Sequence, residues 1–283
     1  MSSPNDNSVK QSWQGAVADR WVQEQARLDE MMRPFGQAAL MTLAAGSGEW
    51  VLDVGCGAGT TSFELAESVG STGGVCGIDI SEALLQHARE RAAASGASNV
   101  QFVLADAAYH RFERGFDALF SRFGVMFFSD PVGAFNSLHG ALHSSGRLAF
   151  VCWQELARNP WAHLPLQAAR AAAPSLPLPQ LIQPGQPGPF AFGDMEYVND
   201  SLRAAGFRHV EITAFERPMH LGSSAQDAAD FCMRIGPASR IAAEADATQT
   251  TQIHDAVLKA IEPFATPRGV WIDAATYVVS ARA

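Results

Sequence analysis

VLDVGCGAGTTSFELA, residues 51–66, joins an apolar β-branched run to a helical pattern through glycines at positions 55, 57 and 59. WVLDV (50–54) reads as a buried strand, TSFELAESV as a helix, and the glycines between them as the turn that links the two. Glycine lets that backbone take positive φ and come close to a ligand, while the helix start offers unpaired N–H groups. A carboxylate or a phosphate can use such a turn. Two residues narrow the choice. A dinucleotide fingerprint ends in Gly or Ala at its sixth position, where Thr60 stands instead. Asp53, two residues ahead of Gly55, is expected at the pocket mouth, where it repels a diphosphate and attracts an ammonium group. The ligand is therefore expected to carry positive charge.

Further strands follow at VCGIDI (75–80), VQFVLAD (100–106), FDALFSR (116–122) and GRLAFVCW (146–153). Between the second and third, SEALLQHARERAAASG brings Leu84, Ala88 and Arg91 onto one helical face, with Ser81 as its expected cap and Gly96 as its expected end. Strands and helices that alternate through short links predict a parallel sheet wound on both faces, because parallel neighbours need a crossover. Asp79 closes the second strand, where a carboxylate can accept both hydroxyls of a ribose, and Asp106 closes the third, within reach of an adenine amine. An adenosine with a zwitterionic tail satisfies Asp53, Asp79 and Asp106 together.

These residues resemble the class I, Rossmann-like S-adenosylmethionine-dependent methyltransferases over roughly residues 35–153, with VLDVGCGAG similar to the family's first motif. The nearest flavour is the group of ubiquinone and menaquinone C-methyltransferases and bacterial small-molecule methyltransferases. The resemblance implies an α/β fold with a doubly wound, mostly parallel seven-stranded sheet and a discontinuous helical cap. It also implies S-adenosyl-L-methionine as cofactor, held by Asp53, Gly55, Cys56, Gly57, Gly59, Thr60 and Thr61 at the turn. Asp79 would take the ribose, Ile80 would stack on adenine, and Asp106 with Ala107 would close that end. Ser121, Arg122 and Phe123 in SRFGVMFFSDP resemble the fourth-strand exit near the methionine moiety, and Trp13 and Trp21 are the aromatic residues expected to close over the cofactor.

After Trp153 the pattern changes. Eight prolines between 157 and 191 (Pro160, Pro165, Pro174, Pro177, Pro179, Pro184, Pro187 and Pro189) argue against long regular elements and suggest a lid. The expected organisation is N-terminal cap helices (1–40), a cofactor-binding core (41–156), the proline-rich lid (157–191), a core helix and strand (192–215), a helical cap insertion (216–265) and a C-terminal core strand (266–283). That helix reads at GDMEYVNDSLRAAGF, its strand at HVEITAF, and the last strand at ATYVVSARA.

A net charge of −9 leaves no general attraction to nucleic acid, and no run approaches the roughly 20 apolar residues of a membrane span. The first ten residues lack an apolar signal core, and Cys56, Cys76, Cys152 and Cys232 form no CxxC pair. A cytoplasmic protein with a small-molecule substrate is expected. His139 and His143, four apart, are expected on one helical face, yet no third ligand or HExxH acid accompanies them, so no metal is assigned. Arg122 suits an acidic substrate as well as it suits a surface acid.

Methyl transfer by in-line displacement needs alignment and a dry pocket but no nucleophilic side chain. His163 and His220 are the weak candidates for a general base with an O-, N- or C-acceptor. Two other readings share the turn: a nicotinamide-dependent oxidoreductase, and a cofactor-binding protein without catalysis.

Overall fold

The computed structural model describes residues 13, 15–113, 115–177 and 186–283. The N-terminal tail, together with Pro179 and Pro184 of the proline-rich stretch, lies outside these. Two compact units divide the chain: Met1–Trp153, Pro184–Phe215 and Thr276–Ala283 in one, Gln154–Gln183 and Glu216–Ala275 in the other.

In the first unit α1 (Ala16–Gln23) and α2 (Gln25–Leu43) precede β1 (Trp50–Val54), which is followed in turn by α3 (Thr60–Val69), β2 (Gly74–Asp79), α4 (Glu82–Ser95) and β3 (Val100–Leu104). Then come β4 (Phe116–Arg122), α5 (Pro131–Gly140), β5 (Leu142–Trp153) and, after the excursion into the second unit, α7 (Met195–Ala204). Two further strands, β6 (Arg208–Gly222) and β8 (Gly269–Arg282), begin in one unit and end in the other. The hydrogen-bonded order is β3-β2-β1-β4-β5-β8-β6, with the two-residue strand β7 (Ala265–Thr266) added beside β8. Seven strands thus form the path and the eighth is an accessory.

β1 pairs in parallel with β2 (Leu52↔Cys76) and with β4 (Leu52↔Leu119), while β8 meets β5 antiparallel. Val51, Leu52, Leu119, Phe120, Phe150 and Val151 are fully buried, which is why these strands read as unbroken apolar runs rather than alternating ones. Arg147 ties the base of the sheet to the end of α2: its fork meets both oxygens of Glu49 at 2.9 and 2.8 Å and also donates to the carbonyls of Leu43 and Ala44. That pairing holds the Glu49 carboxyl below its usual range.

The second unit is mainly helical, with α6 (Pro160–Ala172), α8 (Ala225–Arg234), α9 (Pro237–Ala242) and α10 (Ala247–Ile261). Asn159 closes it. Its fully buried side-chain amide donates to the carbonyls of Gln154, Glu155 and Ala275, and its oxygen accepts from the Ala275 N–H and the Trp161 indole. One side chain therefore joins the stretch where the chain enters the unit to the one where it leaves.

Four expectations need correction. Prolines do not break residues 157–191 at the start: α6 runs 13 residues with Pro160 at its first position, where the missing N–H costs nothing, and accommodates Pro165 inside. The strand at HVEITAF continues through Pro218 to Gly222, which an edge strand tolerates because a lost donor there breaks no ladder bond. His139 lies in α5 but His143 lies in β5, since the helix ends at Gly140, so they share no helical face. Ser81 occupies the cap position of α4 without a side-chain cap bond, whereas Gly96 ends that helix in the left-handed conformation.

Candidate functional site

The sheet order reverses at β1: the chain builds outward through β2 and β3, then returns to place β4 on the other side. Open α/β sheets take ligands in the crevice at such a point, outside the carboxyl ends of the strands. Gly55, Gly57 and Gly59 occupy it with φ of 69°, 53° and 82°. A Cβ on Gly55 would stand 2.7 Å from Gly124 Cα, so the β1 and β4 exits touch backbone to backbone. On Gly59 it would stand 2.8 Å from the Phe102 ring. Gly57 differs, because a Cβ there would meet nothing nearer than Leu84 Cδ1 at 4.0 Å, and the turn is open at its centre.

Asp53 is not at a pocket mouth. Its carboxylate is fully buried, and Oδ2 accepts from Thr61 Oγ1 at 2.8 Å and Ser62 Oγ at 2.6 Å, both in the first turn of α3. Oδ1 is buried with no partner among the described residues. Burial pushes this carboxyl up to about 6, against the pull of the two hydroxyls and the Arg122 charge. An orphaned carboxylate oxygen in such a place is costly until a cation or donor reaches it.

Asp79 bridges β2 to the turn: Oδ2 accepts from Gly57 N–H at 2.9 Å and Oδ1 from Ser81 N–H at 2.9 Å. Desolvation raises its pKa, and those N–H groups oppose the rise. The Ile80 N–H opposes it too, and a carboxylate with about four acceptor positions keeps one for a hydroxyl. Ile80 beside it is half-buried. Asp106, two residues past β3, accepts from Ala108 N–H at 3.0 Å, and Ala107 is buried in the same turn. Cys56 contributes backbone to the turn while its side chain is buried near Gly77, and burial pushes the thiol well above its ordinary range, so it is no nucleophile.

The β4 exit is braced rather than free. Ser121 Oγ donates to the Val54 carbonyl at 2.7 Å and accepts from Gly124 N–H at 3.1 Å. Phe123 has φ of 62°, a strained value for a bulky residue, and its ring stacks on Trp153 at 4.3 Å between centroids. Arg122 pairs with Asp29 at 2.7 Å, an acid that is mostly buried rather than on the surface. Trp13 meets Trp21 of α1 edge to face at 5.2 Å and Phe127 at 5.5 Å, so Trp13 stands against the turn that follows β4 with Trp21 behind it.

Residues 45–172 match a family model described as a methyltransferase domain. The nocamycin O-methyltransferase of Saccharothrix syringae is 30% identical over 207 residues, covering 70% of this chain and 72% of that one. The chain belongs to the class I S-adenosylmethionine-dependent methyltransferases. The aklanonic acid methyltransferase of Streptomyces sp. (strain C5) is 38% identical over 122 residues, 43% of this chain; this chain spans about half of that relative, 56% of its length. Among solved structures, a phosphoethanolamine N-methyltransferase of Haemonchus contortus in complex with S-adenosylhomocysteine shares the fold at a TM-score of 0.54 and 16% identity, over 88% of this chain and 52% of that one. S-adenosylmethionine is the cofactor of this methyltransferase family, and the fold is the doubly wound one that the alternation of strands and helices and the resemblance implied. No helix among the described residues is long and apolar enough to cross a membrane.

The structure brings together the turn, Asp53, Asp79 and the Ser121–Phe123 exit in the sheet-bearing unit, while His163 and His220 belong to the second. His163 lies in α6, and His220 lies in β6 with its ring 4.9 Å from that of Trp271. Sequence reasoning missed Asp29 and Gln25, and it counted Arg91 only as part of a helical face. Arg91 donates to the Ala58 carbonyl at 2.6 Å and to Thr60 Oγ1 at 2.8 Å, reaching the turn with its head while its stem shares the face of Leu84 and Ala88. A charged residue on an otherwise apolar stripe was the available signal.

Proposed function

We propose that this chain methylates a small, partly apolar organic acceptor and that its cofactor lies on the Gly55–Thr60 turn. One observation carries the reading: the buried, unpartnered Asp53 Oδ1 beside a turn whose centre is open at Gly57. An ammonium suits that oxygen, whereas a diphosphate would face an uncompensated carboxylate, which disfavours the nicotinamide alternative. The remaining acceptor position of Asp79 suits a ribose hydroxyl, and Ile80 with Asp106 and Ala107 suits an adenine. When bound, S-adenosylmethionine supplies a sulfonium methyl open to in-line attack. The protein's part is then positional: the start of α3 beyond the glycine turn faces the carboxylate of the tail, Asp53 fixes its ammonium, and Phe123 and the N-terminal indoles exclude water.

The relatives named for nocamycin and aklanonic acid support an organic acceptor, and the Leu, Phe and Pro residues of 157–191 support its partly apolar character. An acceptor hydroxyl or carbon acid would need a base, for which His163 and His220 are the candidates. Four buried free cysteines fit a reducing cytoplasm. Calorimetry with S-adenosylhomocysteine and with NADH tests the cofactor reading, and only the former is expected to bind. Transfer of a labelled methyl group across a metabolite library identifies the acceptor; tight NADH binding with no affinity for S-adenosylhomocysteine refutes the proposal.

A further inference from the structure

Asp29 is on the first turns of α2, far in sequence from the glycine turn, yet its carboxylate holds that turn on one side and the β4 exit on the other. Oδ1 pairs with Arg122 at 2.7 Å, and Oδ2 accepts from Thr60 Oγ1 at 2.5 Å and from the Gln25 side chain. Thr60 Oγ1 also accepts from Arg91, which in the same place binds the carbonyl of Ala58 between Gly57 and Gly59. Asp29 and Arg122 are only 15% and 14% exposed, so water screens the pair weakly. A second feature is independent of the charges. Gly36 lies two helical turns beyond Asp29 on the same stripe of α2, and a Cβ there would stand 2.9 Å from Arg122 Cδ. The helix is thus cut away where the Arg122 stem runs along it, which allows the guanidinium to arrive at Asp29.

We propose that Asp29 is a positioning residue for the cofactor: through Thr60 and Arg122 it fixes the glycine turn and the β4 exit in their binding geometry. This rests on the reading that the turn holds the cofactor. The physical reason is preorganisation. The turn contains three glycines, which are the residues with most backbone freedom to lose, and any ordering left undone in the free protein is subtracted from affinity when the ligand binds. Asp29 and Arg91 anchor the turn at Thr60 and Ala58, and the contact of Gly55 with Gly124 anchors it at the other end. Between these anchors Gly57, its N–H held by Asp79, lies at the open centre. A fully satisfied buried polar network rigidifies what it joins.

The test is calorimetry of S-adenosylhomocysteine with the full-length wild type, Asp29→Asn, Thr60→Val, the double variant and Asp79→Ala, each shown by circular dichroism to be folded at the assay temperature. Asp29→Asn is expected to weaken binding about tenfold and to accelerate amide exchange at residues 57–61 while the β1 and β5 amides keep their protection. Thr60→Val is expected to weaken it about fivefold, and the double variant to bind no more weakly than Asp29→Asn alone, since both substitutions break one linkage. Affinity of Asp29→Asn within twofold of wild type overturns the inference, as do additive effects of the two substitutions. If Asp79→Ala also binds as wild type does, the cofactor reading beneath it falls as well; if Asp79→Ala loses affinity while Asp29→Asn keeps it, only the role of Asp29 falls.

Discussion

Lowering the pH should switch off the charge that receives the cofactor's ammonium. Burial raises the Asp53 carboxyl to about 6 in the free protein, so it is ionised in about nine molecules in ten at pH 7 and about one in ten at pH 5. Only the ionised form offers a full charge at Oδ1, and an apparent affinity scales with the competent fraction, so S-adenosylhomocysteine should bind about tenfold more weakly at pH 5 than at pH 7. The sign follows from linkage: binding a cation favours the ionised carboxylate, so complex formation releases a proton near pH 6 and affinity rises through that value. Calorimetry in two buffers of different ionisation enthalpy reads the affinity and the proton release together. Asp53→Asn supplies the control, binding weakly at both pH values and without proton release. A wild-type affinity that is flat from pH 5 to 7 refutes the assignment of Asp53 to the ammonium.

The same group sets a stability trend in the free protein. Its folded pKa is raised from 3.8 to about 6, so the contribution is fully present below pH 4 and is lost as pH rises through 6, about 3 kcal/mol in all; urea unfolding should show Asp53→Asn gaining on wild type by that order between pH 4 and 7. Gly57→Ala should fold with a loss of about 1–2 kcal/mol from its left-handed backbone, because its Cβ clears every neighbour, yet bind S-adenosylhomocysteine poorly; a variant that binds normally would contradict the open centre of the turn. Asp79→Ala should weaken the same binding by about 1.5–3 kcal/mol, measured by calorimetry. Asn159→Ala should destabilise the second unit by about 3 kcal/mol by leaving the buried Ala275 N–H and carbonyl without the side chain that satisfies them, which denaturant unfolding followed by tryptophan fluorescence would detect.

The strand, glycine turn and helix at 50–69 were legible because their signals are local: β-branched periodicity, residues that tolerate positive φ, and an acid at the end of each of the first strands. Thr60 at the sixth glycine position and the position of Asp79 pointed to the cofactor class for the same reason, each being a statement about a few consecutive residues. The environment of Asp53 was not legible in that way. Its place in the sequence suggested a charge at a pocket mouth, and only the packing of α3 against β1 buries it beneath two hydroxyls, with one oxygen unpaired. Likewise, nothing near Arg122 names its partner, which stands 93 residues earlier in α2. Helical and strand patterns also misplaced His143, stopped β6 at Phe215 and began β8 at Ala275; β6 runs on through Pro218 because it lies at the sheet edge. The chain's own pattern determined a methyltransferase-like sheet and the ligand's chemical type, since periodicity and turn chemistry act over short range. Tertiary structure alone decided which charges are buried, which are paired and what braces the turn, since those depend on distances between segments that are remote in sequence.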